Sequence, residues 1–106
     1  MSEQAHTATD AAELDVFIDH LWLEDGLAKN TLESYRLDLS AFSLWLTKQN
    51  KQLLTVDQAD IQQYLAVRFP QSKARSISRL IASLRRFYRY LMRDNKISLD
   101  PTIQIQ

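Results

Sequence analysis

The sequence predicts an all-α protein, a compact bundle of four helices with short connections. Apolar residues recur at steps of three and four in four successive segments, which is the spacing of one face of an α-helix. No strand pattern of credible length appears in the sequence. The chain has 106 residues, with one glycine and two prolines. This length suits one small domain with a buried core.

The first helix is predicted to begin at Asp10 and to end near Glu24. Asp10 is a residue type that caps helices, and Glu13 three residues later fits a capping box. Gly26, the only glycine, suits the left-handed position just after a helix. Residues 1–9 are mostly small and polar, and we expect them to form a flexible N-terminus. The apolar face of this helix consists of Leu14, Phe17, Ile18, Leu21 and Trp22.

A second helix is predicted to start at once, with Asn30 or Thr31 as its N-cap. It has a central apolar line and further apolar residues on both flanks, so we expect it to be buried broadly at the centre of the bundle. Ser34 lies roughly opposite this line, and the polar residues 48–51 end the pattern. The apolar line contains Leu32, Tyr35, Leu39, Phe42 and Leu46, and the flanks contain Leu37, Leu44 and Trp45.

A third, shorter helix is predicted to begin after Thr55 or Asp57, either of which can cap it. Pro70 should end this helix, because the residue before a proline is pushed away from helical geometry. Ser72 is then the predicted N-cap of a fourth helix that fades near Asp94. The apolar residues of the third helix are Ile61, Tyr64, Leu65 and Phe69.

The fourth helix, over residues 72–93, is strongly basic and contains no acid. At roughly 100° per residue, four of its arginines lie within about 40° of one another and nearly opposite its apolar face. At 1.5 Å per residue the segment spans about 33 Å, close to one turn of duplex DNA. Those four are Arg75, Arg79, Arg86 and Arg93; Lys73, Arg85 and Arg89 are the other basic residues.

The net charge of zero hides an uneven distribution. Residues 1–25 hold seven acids and no Lys or Arg, whereas residues 61–106 hold nine basic residues and two acids. A basic surface of this kind favours a polyanionic partner, although the acidic segment could instead neutralise the basic one within the fold. Arginine and lysine neutralise phosphates, and arginine also pairs with guanine in the major groove. A second polar and basic helix start lies at Lys29, Asn30, Thr31 and Ser34.

Several other classes of function find no support in the residues. The chain has no cysteine, no glycine-rich phosphate loop and no HExxH pair, so we expect no metal, no cofactor and no small-molecule ligand. His6 and His20 are interpreted as surface residues, and Asp15 with Asp19 as a solvated helix face. No apolar run reaches the length of a membrane span and no signal peptide is apparent, so we expect no membrane partner and a cytoplasmic location.

Two segments carry a resemblance to a known family: LWLEDGLAKNTLESYRLDLSAFSLWL (residues 21–46) and SKARSISRLIASLRRFYRYL (residues 72–91), followed by Asp100-Pro101. In combination they resemble the N-terminal core-binding domain of tyrosine recombinases of the Xer group. This implies a four-helix domain of the SAM-like type that forms half of a clamp around DNA, with two helices in the major groove. The DNA contacts implied by position are Lys29, Asn30, Thr31 and Ser34 on one helix, and Lys73, Arg75, Ser76, Arg79 and Arg86 on the other.

The resemblance also implies a division of the chain and a wider role. Residues 10–96 would form the core-binding domain, and residues 97–106 would begin a linker to an absent catalytic domain. The chain itself would then bind DNA without cleaving it, while a full-length parent would transfer strands through a phosphotyrosyl bond. The implied partners are a double-stranded recombination site and partner recombinase protomers in a tetramer, acting in chromosome dimer resolution. The alternatives are a core-binding domain of a phage or integron integrase, and a helical protein–protein interaction module.

Overall fold

A computed structural model describes the backbone of residues 3–105 and the side chains of residues 9–105. It contains four α-helices: α1 (Glu3–Leu23), α2 (Lys29–Thr47), α3 (Gln58–Arg68) and α4 (Ala74–Arg93). Short 3-10 helices occupy Leu53–Thr55 and Phe69–Gln71. The described residues contain no strand, so the predicted all-α class with four helices is confirmed. The chain forms two compact units, with α1 and α2 in Met1–Leu53 and α3 and α4 in Leu54–Gln106.

In the first unit, α1 and α2 pack on each other. The predicted apolar lines form the core, in which Phe17, Leu39 and Phe42 are completely buried. The prediction that α2 is buried broadly is wrong, because Leu37 and Leu44 are 70% and 56% exposed. The apolar side of α2 is wider than the surface on which this helix packs, so the residues at the edges of that side remain in solvent. The sequence pattern places Trp22 on the apolar face of α1, but Trp22 is likewise exposed.

The predicted helix start at Asp10 is wrong. The first helix begins at Glu3, so Asp10 lies within it and is only 1% exposed. Its carboxylate accepts hydrogen bonds from the Ser43 hydroxyl and from the backbone amide of Leu53. Asp10 therefore holds the unit together instead of capping a helix. The predicted flexibility of residues 1–9 falls partly outside the described residues and stays a prediction.

The predicted N-cap is found for α3 but not for α2 or α4. Asp57 caps α3, and its side chain and that of Asp60 each accept from the other's backbone amide in a full capping box. The caps predicted for α2 and α4 are wrong, because Ala28 and Lys73 occupy the N-cap positions instead. The candidates Asn30 and Thr31 consequently lie inside the first turn of α2, and Ser72 lies one residue before the N-cap of α4.

Three helices end on a residue in the left-handed conformation. Gly26 follows α1 with φ +63°, as predicted. Asn50 and Asn95 adopt the same conformation after α2 and α4, with φ 59° and 58°. After α4, the amides of Asn95 and Lys96 donate to carbonyls of the last helical turn at 3.0 and 2.9 Å, which is the Schellman pattern. This pattern ends the basic helix cleanly just after Arg93.

In the second unit the apolar faces of α3 and α4 are buried at Ile61, Leu84, Phe87 and Tyr88. The sequence pattern places Phe69 on the apolar face of the third helix, but it is 69% exposed in the 3-10 turn that contains Pro70. Pro70 therefore does end α3, since that helix stops at Arg68.

The residues after α4 fold back onto the second unit. The Asp100 carboxylate accepts from the Thr102 amide at 2.8 Å and from its hydroxyl at 2.7 Å, which fixes the predicted turn at Asp100-Pro101. Gln104 accepts a hydrogen bond of 3.0 Å from Gln58 in α3. Residues 97–105 are thus attached to the unit, and their predicted role as the start of a linker remains a prediction.

Candidate nucleic-acid interface

The principal candidate surface lies on α4 and is formed by a row of arginines. We call it the arginine face; it consists of Arg75, Arg79, Arg86, Arg89 and Arg93. All five positions fall within an arc of about 80° on a regular helix. Arg75, Arg79, Arg89 and Arg93 are exposed, and Arg86 is partly exposed. The opposite side of α4 is anchored by Leu84 and Leu91, both completely buried. The core therefore fixes the direction in which this row of guanidinium groups points.

Arg85 and Arg89, which lie to one side of the predicted row, have different surroundings. Arg85 donates a hydrogen bond through Nη2 to the carbonyl oxygen of Ile105 and is only partly exposed. It thus holds the segment that follows α4. Arg89 is exposed and extends the arginine face. The structure therefore assigns Arg85 to the fold and leaves Arg89 available to a ligand.

The segment of the chain that contains α4 has little negative charge. From Ile61 to Arg93 the chain has no acid, and Asp94 comes only at the C-cap of α4. No acid lies in the first turn of α4, where Lys73 and Arg75 are exposed and Ser76 is partly exposed. Clustered like charges raise the local positive potential, which attracts a polyanion and is screened by salt.

The second candidate surface is the start of α2. Lys29 and Asn30 are exposed there, and Thr31 and Ser34 are partly exposed. Asn30 and Ser34 stand four residues apart, so they lie on one side of the helix. This surface is small and polar and carries a single cation. The next cation, Arg36, forms an ion pair of 2.6 Å with Asp15 of α1 and so contributes to the first unit.

The N-termini of α2 and α4 share a feature that distinguishes them from α3. Neither has a side chain that accepts from its first-turn amides, because the N-cap residues are Ala28 and Lys73. By contrast, α3 has a complete capping box built from Asp57 and Asp60. Uncapped first-turn amides are free to donate to phosphate oxygens, and the helix dipole favours an anion there.

Sequence reasoning missed these open N-termini because it placed the helix starts at capping residues. The available signal was the absence of acids from the first turns of α2 and α4. The nine predicted contact residues nevertheless fall into two groups, one on each helix. Lys29, Asn30, Thr31 and Ser34 lie together on α2, and Lys73, Arg75, Ser76, Arg79 and Arg86 lie together at or on α4. Whether they contact DNA stays a prediction.

Other kinds of site have no support within the part of the chain that the structure describes. No three His, Cys, Asp or Glu side chains come together there as a set of metal ligands. Among the same residues, no helix has the length and apolar character needed to cross a membrane.

The chain is similar to one family of known domains and to several curated proteins. The sequence profile of the family described as "Phage integrase, N-terminal SAM-like domain" matches residues 14–95, most of the chain. The chain is 49% identical over 94 residues to the tyrosine recombinase XerD of Shewanella oneidensis, a match that covers 88% of this chain and 31% of that protein. It is 47% identical over 93 residues to XerD of Pseudomonas aeruginosa, covering 87% and 31%.

A third relative, XerD of Yersinia pestis, is 47% identical over 90 residues, which cover 84% of this chain and 30% of that protein. The chain thus spans about a third of the length of the curated relatives it matches. The family match includes all of α2, α3 and α4, and so contains both candidate surfaces.

Proposed function

Because the chain belongs to the family of phage integrase N-terminal SAM-like domains, we propose that it is the DNA-binding domain of a XerD-like site-specific tyrosine recombinase. The observation that carries this proposal is the arginine face of α4. Its exposed cations lie on a helix whose other side is fixed in a core, in a segment free of acids from Ile61 to Arg93. Such a surface suits the phosphate backbone and the guanine edges of duplex DNA.

We propose that both candidate surfaces contact double-stranded DNA. On α4, Arg75, Arg79 and Arg86 would supply the main contacts, with Lys73 and Ser76 at the helix start. On α2, Lys29, Asn30, Thr31 and Ser34 would supply the others. The open N-termini of the two helices support phosphate contacts at those ends. Insertion of both helices into the major groove, as half of a clamp, rests on the family resemblance.

The wider role is also proposed from the relatives. A parent protein about three times as long would contain the catalytic part and would transfer DNA strands through a phosphotyrosyl bond. It would act in the cytoplasm on a recombination site in chromosome dimer resolution, in a tetramer with XerC-like protomers. Relatives at 39–49% identity are named XerD, which favours a Xer protein over a phage or integron integrase.

The test is the binding of the 106-residue chain to a 30-base-pair duplex, measured by fluorescence anisotropy at several salt concentrations. If the five cations among the predicted contacts each neutralise one phosphate, log K should fall against log salt with a slope of about −4 to −5. A helical protein–protein interaction module would bind the duplex weakly at low salt and show a slope near zero. That result would refute the proposed function.

A further inference from the structure

The arginine face of α4 has one gap, and Ala82 occupies it. The row follows the helical repeat at positions 75, 79, 82, 86, 89 and 93, and every position except 82 is an arginine. On a regular helix Ala82 lies within about 60° of each of the five arginines. A methyl group therefore stands at the centre of a cationic surface.

Ala82 does not belong to the buried side of α4. Ala82 lies on the side of α4 opposite Leu80, Leu84 and Leu91, which are 5%, 0% and 0% exposed. It is itself partly exposed. Alanine is a good helix former, but so is arginine, which fills the rest of the row. The alanine therefore belongs to the side of α4 that carries the arginines, which is the side proposed to face a ligand.

Resting on the proposed function, we infer that Ala82 is a specificity-determining residue that reads the 5-methyl group of a thymine in the major groove. The Cα atoms of Arg79 and Arg86 are separated by about 10.5 Å along the helix axis, or about three base-pair steps of 3.4 Å. The two long guanidinium side chains reach acceptors on either side. Between them, the short side chain lets the helix approach closely and offers an apolar group. In the major groove only thymine presents a methyl group, and alanine is among its usual contacts.

The experiment uses the 106-residue chain and a library of duplexes with a randomised 20-base-pair centre. Bound sequences are selected and one preferred duplex is synthesised. Each thymine is then replaced in turn by uracil, which removes only the methyl group, and binding is measured by anisotropy. We expect one position at which this loss weakens binding roughly fourfold, the effect of one buried methyl-sized group.

The variant Ala82→Gly completes a double-mutant cycle. It should bind the thymine duplex roughly fourfold more weakly than the unaltered chain. Its affinity should not change when uracil replaces thymine at the sensitive position. Ala66→Gly is the matched control, because Ala66 is an exposed alanine of α3. It carries the same helix-propensity cost of glycine and should retain the full response to uracil. Melting curves of both variants show whether they are equally folded.

Two results overturn the inference. One is salt-dependent DNA binding without sensitivity to any thymine-to-uracil change, or without a preferred sequence. The other is an Ala82→Gly variant that keeps the full response to uracil. In both cases the proposed function stands and only the role of Ala82 is refuted. Absence of salt-dependent binding to any duplex refutes the proposed function and this inference together.

Discussion

The backbone amide of Leu53 donates a hydrogen bond of 3.0 Å to Oδ1 of Asp10, although 43 residues separate them in the chain. The other carboxylate oxygen accepts from the hydroxyl of Ser43 in α2. Asp10 is only 1% exposed, so this carboxylate connects α1, α2 and the segment after α2 inside the first unit. A buried carboxylate is tolerated there because polar donors surround it.

We therefore expect Asp10→Ala to destabilise the protein by about 2–3 kcal/mol, since it leaves buried donors unsatisfied. Urea denaturation gives the free energy of unfolding. The matched control is Asp15→Ala on the same helix: Asp15 pairs with Arg36 but its side chain is 65% exposed, so the loss should stay below about 1 kcal/mol. Equal losses of unfolding free energy in the two variants would show that the buried hydrogen bonds of Asp10 stabilise the protein no more than the exposed ion pair of Asp15 does.

Asp10 illustrates which features of this fold the sequence does not predict. Its residue type and the glutamate after it fit a helix start, but its partners lie 33 and 43 residues away, where local patterns give no information. The buried line of Leu39, Phe42 and Leu46 was predicted because its spacing is regular. Leu37 and Leu44 have the same chemistry, and only tertiary packing decides that they are exposed.

The candidate site was predictable to a similar extent. The row of Arg75, Arg79 and Arg86 follows from helical spacing and from the buried side of α4, which the apolar pattern locates correctly. The open N-termini were not predicted, because Ala28 and Lys73 are not capping residue types and the neighbouring Ser72 is. Which residue becomes the N-cap depends on where the backbone turns, and a one-residue shift changes the electrostatics of that end.

The core of the second unit provides a direct test of burial. Leu84→Ala should reduce the free energy of unfolding by about 2–5 kcal/mol, because Leu84 is completely buried and a cavity remains. Leu44→Ala is the control with the same chemical change at a site 56% exposed, and should cost less than about 1 kcal/mol. Trp45 is only partly buried, and its ring stacks on that of Phe42 with 6.2 Å between the ring centroids. The loss of unfolding free energy for Trp45→Ala should lie between the losses for Leu44→Ala and Leu84→Ala. A Leu44 variant as unstable as the Leu84 variant would show that this exposed face is covered in solution.

Arg75→Ala and Arg79→Ala should each weaken duplex binding by about tenfold, because such contacts contribute roughly 1–3 kcal/mol. Each should also reduce the salt slope by about one. The melting temperature should be nearly unchanged, since both side chains are exposed on the side away from the core. Arg68→Ala, at an exposed position at the end of α3, removes the same charge as a control and should have a smaller effect. A large loss of stability without a binding defect would assign these arginines to the fold.

The uncapped start of α2 makes it possible to separate stability from binding. Ala28 has the extended backbone of an N-cap, with φ −65° and ψ 150°, but no side chain that can accept. Ala28→Asn and Ala28→Asp should each stabilise the protein by about 0.5–2 kcal/mol by capping the first-turn amides. Both should weaken DNA binding if those amides donate to a phosphate, and Asp should do so more because it adds a negative charge.

The comparison of the two variants isolates the charge, since both side chains cap equally well. Melting curves give the gain in stability, and anisotropy at low and high salt gives the affinities. The difference in affinity between Asp and Asn should shrink as salt rises, because screening weakens repulsion between exposed charges. If both variants melt higher and bind DNA as well as the unaltered chain, no phosphate accepts from the first-turn amides of α2. Any DNA contact of α2 would then come from its side chains.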